Sequence, residues 1–342
     1  MSKCTNAASL VEAFKEEAQS LRLDVRHKGE RRTMEAVEAP GLDRGSRLEK
    51  TVTARSHVHI DSRQSLAEPL TSSVIVARAR ELSGAWLADE SSCASSPSID
   101  ARIVLPRFLL GLYALPPCDL VDEQVWRETL SNAAQRVRSG PLSSVEPLEA
   151  ITLASTQFGE LSASEAHRIH EQDHYLGTAR DGRHLGLFHR GRALSLLTLS
   201  DLDVSFLRNQ LPDHLSSAEV LVVSRIVVSK LAPPNTASFM LGRAFAWLRR
   251  HRPEVRLLLT YLDPNLGFSG ALYRATNWSH FAVEPKSAYI YLDGTHITLR
   301  ELRKRYGTYE WSALRHTLGS RLSTSLIKLE PLTVLGYSLD RK

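Results

Sequence analysis

Val220-Leu221-Val222-Val223-Ser224-Arg225-Ile226-Val227-Val228, then Leu231-Ala232-Pro233-Pro234-Asn235-Thr236, and further on Leu257-Leu258-Leu259-Thr260-Tyr261-Leu262-Asp263-Pro264, decide the fold. The first run is almost continuously apolar and β-branched, which predicts a central strand covered on both faces. Two prolines end it, and Asn235 is placed to cap a helix over residues 236–250, with Phe239, Ala246 and Trp247 among its apolar positions. Residues 255–261 predict the next buried strand. Strand, loop, helix and strand in that order are the signature of an α/β domain. Just upstream, residues 185–188 and 193–199 are apolar runs joined by His189-Arg190-Gly191-Arg192, an antiparallel hairpin. Downstream, residues 267–278 predict a glycine-started helix, 286–292 a further strand, and 300–306 a basic helix.

Toward the amino terminus the pattern becomes helical. Residues 122–137 carry the stripe Val125, Trp126, Leu130, Ala133 and Val137, stopped by Ser139-Gly140-Pro141. Residues 74–87 and 99–112 flank a serine-rich loop and end at Leu115-Pro116-Pro117, either as a small DNA-reading helix-turn-helix module or as a helical extension of the main domain. The first 70 residues are polar and charged apart from a helical stretch at 7–21. His57 and His59 would share a strand face there, without a third metal ligand nearby.

With 342 residues the chain has room for about two domains. Its 42% hydrophobic and 24% charged residues exclude a collagen-like or wholly disordered chain. The longest apolar stretch, 103–115, is interrupted by Pro106 and Arg107, so no membrane span is expected. Without a secretory h-region at the start, a cytoplasmic location is expected. Cys4, Cys93 and Cys118 are too scattered for a disulfide framework or a zinc site. A net charge of +5 permits a nucleic-acid partner without requiring one.

Three residues invite chemistry. Arg225 interrupts an apolar strand, and a buried guanidinium needs either a carboxylate partner or a site to point into. Asp263 ends a strand, where open α/β sheets bind ligands, although Asp before Pro also caps turns. Tyr273 lies one helix away.

Tyr261-Leu262-Asp263-Pro264 followed by Gly267, Gly270, Tyr273, Ala275, Thr276, Asn277 and Trp278 resembles the Mom family, phage DNA-modifying proteins with a GNAT-like fold. Arg225, residues 235–243 and His174-Tyr175 extend the resemblance over residues 164–292. It implies an enzyme that elaborates the exocyclic amine of adenine in double-stranded DNA and so shields it from restriction. It further implies Arg225, Asp263, Tyr273 and Tyr175 as catalytic residues and Asn235, Ser238, Asn277 and Trp278 as substrate-binding residues. Iron is implied as well, on His174, Tyr175 and Asp263. Arg303, Lys304 and Arg305 are the candidate DNA contacts. Asp263 would act as base or metal ligand, Tyr273 as acid or orienting donor, and Arg225 would pair with Asp263 or hold an anionic donor group.

Gly111-Leu112-Tyr113-Ala114-Leu115-Pro116-Pro117, Glu146-Pro147-Leu148-Glu149 and His174-Tyr175-Leu176-Gly177 are also similar to DruA, a defence protein of Druantia systems with a winged-helix segment. The tryptophan-rich stretch of that family has no counterpart in residues 201–218. Acetyl-CoA is not supported, because prolines at 233 and 234 remove N–H donors from the loop that would hold its pyrophosphate. The expected organisation is an extended or partly disordered segment (1–72), a helical or winged-helix module (73–120), a helical connector (121–160) and a GNAT-like catalytic domain with a mixed sheet and flanking helices (161–342). The alternatives to a Mom-like enzyme are a DruA-like DNA-binding protein and a GNAT-like acyltransferase acting on a small molecule or protein.

Overall fold

A computed structural model describes residues 71–91, 101–138, 151–286 and 288–340. The expectations for residues 1–70, including the 7–21 helix and the His57/His59 pair, lie outside these, as does Glu146-Pro147-Leu148-Glu149. The described residues all belong to one compact unit.

The architecture is α/β. A seven-stranded sheet has the order β1-β2-β3-β4-β5-β10-β6. Its strands are β1 (Gln157–Glu160), β2 (Arg183–His189), β3 (Arg192–Asp201), β4 (Val220–Val228), β5 (Leu257–Leu262), β6 (Ser279–Glu284) and β10 (Leu332–Ser338). A second sheet, β8-β7-β9, comprises β7 (Ile290–Leu292), β8 (Thr295–Ile297) and β9 (Leu322–Thr324). The helices are α1 (Ser72–Ser91), α2 (Ala101–Leu112), α3 (Glu123–Arg138), α4 (Ala163–Gln172), α5 (Ser205–Arg208), α6 (Thr236–His251), α7 (Ala271–Ala275), α8 (Leu299–Tyr306) and α9 (Trp311–Leu318). This is the mixed sheet with flanking helices that a GNAT-like layout requires.

The β2–β3 hairpin turns on Arg190 and Gly191, both at positive φ (50° and 78°). That pair of conformations matches the twist of the strands it joins. Strand β4 is buried on both faces, as its run of valines predicts. Leu221 and Val223 pack with Met240, Leu241 and Phe245 of α6, while Val220 and Val222 pack with Leu257, Leu259 and Val334. Asn235 precedes α6 as expected but adopts a left-handed conformation and caps nothing with its side chain. The strand expected at 286–292 is shorter and belongs to the second sheet, whereas the main sheet is completed by β6 and the C-terminal β10.

Two features of β4 matter for function. It is parallel to β5, but the pairing runs only from Val220↔Leu257 to Val223↔Thr260, while β4 continues to Val228. The two strands therefore part beyond Val223 and Thr260. On the other edge of β4, Val223 faces Leu199 and Arg225 faces Thr198, so Ser224 is an extra residue, a bulge that re-aims the side chain after it.

Helices α1 to α3 share one core with the loop after β5. Ile75, Val104, Phe108, Leu109, Trp126 and Leu130 pack in one cluster with Leu266, Tyr289 and Tyr291. Most of α2 is buried in that cluster, which leaves it little surface with which to enter a DNA groove. Among the described residues 71–138 there is no strand to form a wing.

Candidate functional site

Arg225 lies two residues past the last β4–β5 pair, at the gap where the strands part. Its Nη1 donates to the carbonyl of Ser224 at 2.7 Å. Its Nε is shut off from solvent and has no acceptor, and among the described residues it forms no ion pair. Burial pulls its pKa down to about 10, offset in part by Tyr175. The expected partnership with Asp263 is not formed.

Asp263 pairs with Lys286 instead, at 2.6 Å. Its carboxylate accepts four hydrogen bonds, from the Asn265 backbone N–H (3.1 Å) and Nδ2 (2.9 Å) on Oδ1, and from Lys286 Nζ and Tyr289 OH (2.8 Å) on Oδ2. A carboxylate offers about four lone-pair sites, so none is left over. The Lys286 ammonium also lies over the Tyr289 ring, 4.1 Å from its centre. Asp263 additionally caps the turn Pro264–Leu266, the role its place before proline suggested.

That turn is fastened to the N-terminal helices. Tyr113 OH donates to the Asn265 carbonyl, and its ring stacks on Tyr289. Arg80 donates to the Gly267 carbonyl. Gly267 has φ 79°, a conformation that strains any residue with a Cβ, and a Cβ there would also press on the Leu105 side chain of α2, 2.9 Å from its Cδ2.

Tyr273, on α7, is fixed to the end of the paired part of β5, its hydroxyl 3.1 Å from Thr260 Oγ1. Its ring meets Trp278 edge-on. Burial raises its pKa, so the phenol keeps its proton at neutral pH. Tyr175 is likewise raised by burial, and the Arg225, Asp263 and Tyr273 side chains all lie within electrostatic range of it. Its hydroxyl has no hydrogen-bond partner among the described residues. Tyr175 is thus the one of the four residues expected to be catalytic that feels the other three electrostatically.

His174 and Tyr175 sit in a turn after α4 that Arg107 clamps from α2, donating to the carbonyls of Gln172 (2.6 Å) and His174 (3.0 Å). Burial holds the His174 pKa well below normal, with Arg225 adding to the effect. Its Nδ1 accepts the Leu176 N–H at 3.2 Å, so in the neutral ring the proton is on Nε2. That tautomer leaves neither nitrogen ready to bind a metal, and both Asp263 oxygens are already engaged, one by a cation. Among the described residues no three His, Cys, Asp or Glu side chains are grouped to hold a metal. The donor set assigned to iron does not fit it in this arrangement.

The remaining candidates have local duties. Ser238 Oγ donates to the Asn235 carbonyl, Asn277 is an exposed turn residue at φ 62°, and Trp278 is buried among Phe245 and Tyr337. In the loop before α6 the N–H groups of Leu231, Ala232 and Thr236 bond internally, and the two prolines have none. On α8, Arg305 pairs with Glu301, Arg303 lies over the Tyr309 ring, and Lys304 is exposed.

Lys286, Tyr289, Thr260 and Arg107 escaped the sequence reading. Lys286 is a single lysine in an inter-strand link, and Arg107 looked only like an interruption of an apolar run. Both are recognisable once the fold has closed around them.

The sequence profile of the Mom protein family matches residues 155–329, from the start of the main sheet to beyond β9. Among solved structures, an N-acetyltransferase from Staphylococcus aureus Mu50 is 10% identical, with 54% of this chain and 99% of that one covered and a TM-score of 0.32. A putative acetyltransferase from Salmonella typhimurium, solved with its cofactor acetyl-CoA, is 10% identical over 55% of this chain and 96% of its own, also at 0.32. The ribosomal-protein-S18-alanine N-acetyltransferase from Escherichia coli gives the same four values. No curated protein matches the chain at a significant level. Among the described residues, no helix is long and apolar enough to cross a membrane.

Proposed function

The chain belongs to the Mom protein family, and on that premise we propose that it is a transferase that elaborates the exocyclic amine of adenine in DNA. The observation that carries this reading is that Arg225, without an ion pair, and the protonated phenol of Tyr273 lie where β4 and β5 part, both within electrostatic range of Tyr175. Adenine N6 is engaged in pairing and stacking inside a duplex, so the base must be turned out to reach such a gap. Its lone pair is delocalised into the ring and attacks poorly. The site must therefore polarise the donor, and the positive charge of Arg225 in a water-poor setting suits that task.

In this reading N6 forms a bond to the donor's electrophilic carbon as the leaving group departs. Tyr273 gives its proton to the leaving group and regains one from the amine, and the raised pKa makes its phenolate a strong base for that second step. Asp263 is a positioning residue that acts through Lys286 and Tyr289, since its own oxygens are filled. The loop before α6 has few N–H groups to offer a coenzyme A pyrophosphate, so the donor is of another kind.

The test is Tyr273→Phe, which keeps the ring against Trp278 and removes the proton. Modified adenine nucleoside per folded molecule should fall by at least ~100-fold, the lower end for general acid–base catalysis. Undiminished product would remove Tyr273 from the mechanism.

A further inference from the structure

Arg225 is a half-buried cation, its Nε closed off from solvent, that the fold leaves incomplete. Taking an unpaired charge out of water costs several kcal/mol, and proteins as a rule balance it with a partner. Here Nη1 is spent on a backbone carbonyl, while Nε has no acceptor. The ionisable groups around it supply no anion. The nearby Asp203 is taken by Arg180 and Arg300, and Arg180, which also donates to Ser200, is itself a second cation. Asp263 is committed to Lys286.

We propose that Arg225 is the binding site for a small carboxylate, the acidic end of the group donor. The second half of that statement rests on the transferase reading above; the first does not. Nε and Nη2 lie along one edge of the guanidinium, and two parallel N–H groups on one edge match the two oxygens of a carboxylate. A monoanion balances the one uncompensated charge, whereas a phosphate dianion would need a further cation, and Arg180 is already spent on Asp203. Nε is the most enclosed part of the guanidinium, which suits a small anion better than the bulky phosphate of a duplex backbone. Tyr175, whose hydroxyl has no partner to lose, can donate to the same anion.

Thermal unfolding of the full chain at constant ionic strength tests this without any DNA reaction. The probes are sodium formate, acetate and malonate, with chloride, inorganic phosphate and a short DNA duplex as the other arms. The expected result is a saturable rise in Tm with the carboxylates and not with chloride. Affinity should be at least ~10-fold weaker in Arg225→Lys, which loses the two-pronged contact, and absent in Arg225→Met. With no probe present, Arg225→Met should unfold at or above the wild-type temperature, because a half-buried charge without an ion-pair partner has been removed. Stabilisation by phosphate or the duplex instead of carboxylates overturns the proposal, as does an equal carboxylate shift in Arg225→Met or no shift in the wild type. An Arg225→Met protein that unfolds early or fails to fold also overturns it, showing a structural arginine. Carboxylate binding without a DNA product would leave the site standing and remove the transferase reading; a DNA product without carboxylate binding would do the reverse.

Discussion

Replacing Asp263 by Asn keeps the shape and exchanges one acceptor oxygen for an NH2 group. Whichever way that amide turns, it faces two donors: Lys286 Nζ and Tyr289 OH, or the two N–H groups of Asn265. Tyr289 can rotate its hydroxyl to accept, but an ammonium cannot accept. Removing one partner of a fully buried ion pair costs ~3–5 kcal/mol. The Lys286 side chain retains 18% exposure and can draw on water, so a loss of ~2–3 kcal/mol is expected here. For a unit of this size that lowers Tm by roughly 4–12 °C. Lys286→Met in the Asp263→Asn background removes the stranded cation and should restore at least half of the loss, giving a coupling of at least ~1 kcal/mol. Calorimetry of the wild type, the two single variants and the double variant reads both quantities. An Asp263→Asn protein melting within a degree of the wild type, or single-variant losses that simply add, would refute the role given to Asp263.

Acid should destabilise the fold through its buried histidines. Burial holds His170 at about 3 and His296 at about 4, both below the unfolded value near 6.5. The unfolded chain therefore binds protons first, and stability, intact above pH 6.5, falls as pH drops toward 4; a His170→Gln variant should show a shallower fall in denaturation midpoint over that window. DNA affinity carried by the end of α8 should be electrostatic, each phosphate contact adding about −0.9 to the slope of log K against log salt. Triple substitution of Arg303, Lys304 and Arg305 to Ala should flatten that slope by up to about 3 contacts' worth, and an unchanged slope and affinity would make them a solvated face whose charge merely suits a helix C-terminus.

The centre of the sheet was legible because its signals are local. The valine run of β4 and the Arg190-Gly191 turn each carry their conformation in adjacent residues. By contrast, β10 inserts between β5 and β6 from the far end of the chain, an arrangement fixed by long-range pairing that no short window contains. The site divides in the same way. Asp263 and Arg225 stood out as charges beside or inside apolar strands, but their mutual pairing was an assumption of proximity. The bulge at Ser224 and the arrival of Lys286 from beyond β6 gave Asp263 a different partner and left Arg225 without one. Trp278 and Asn277, conspicuous as a motif, are a core aromatic and a turn residue once α7 is folded.

Mass spectrometry of nucleosides from the DNA of cells expressing the folded protein tests the central claim most directly. The account predicts an adenine nucleoside of increased mass, lost in Tyr273→Phe and Arg225→Met and present wherever the host supplies the donor. Unaltered adenine in several hosts that accumulate the folded wild-type protein would contradict it.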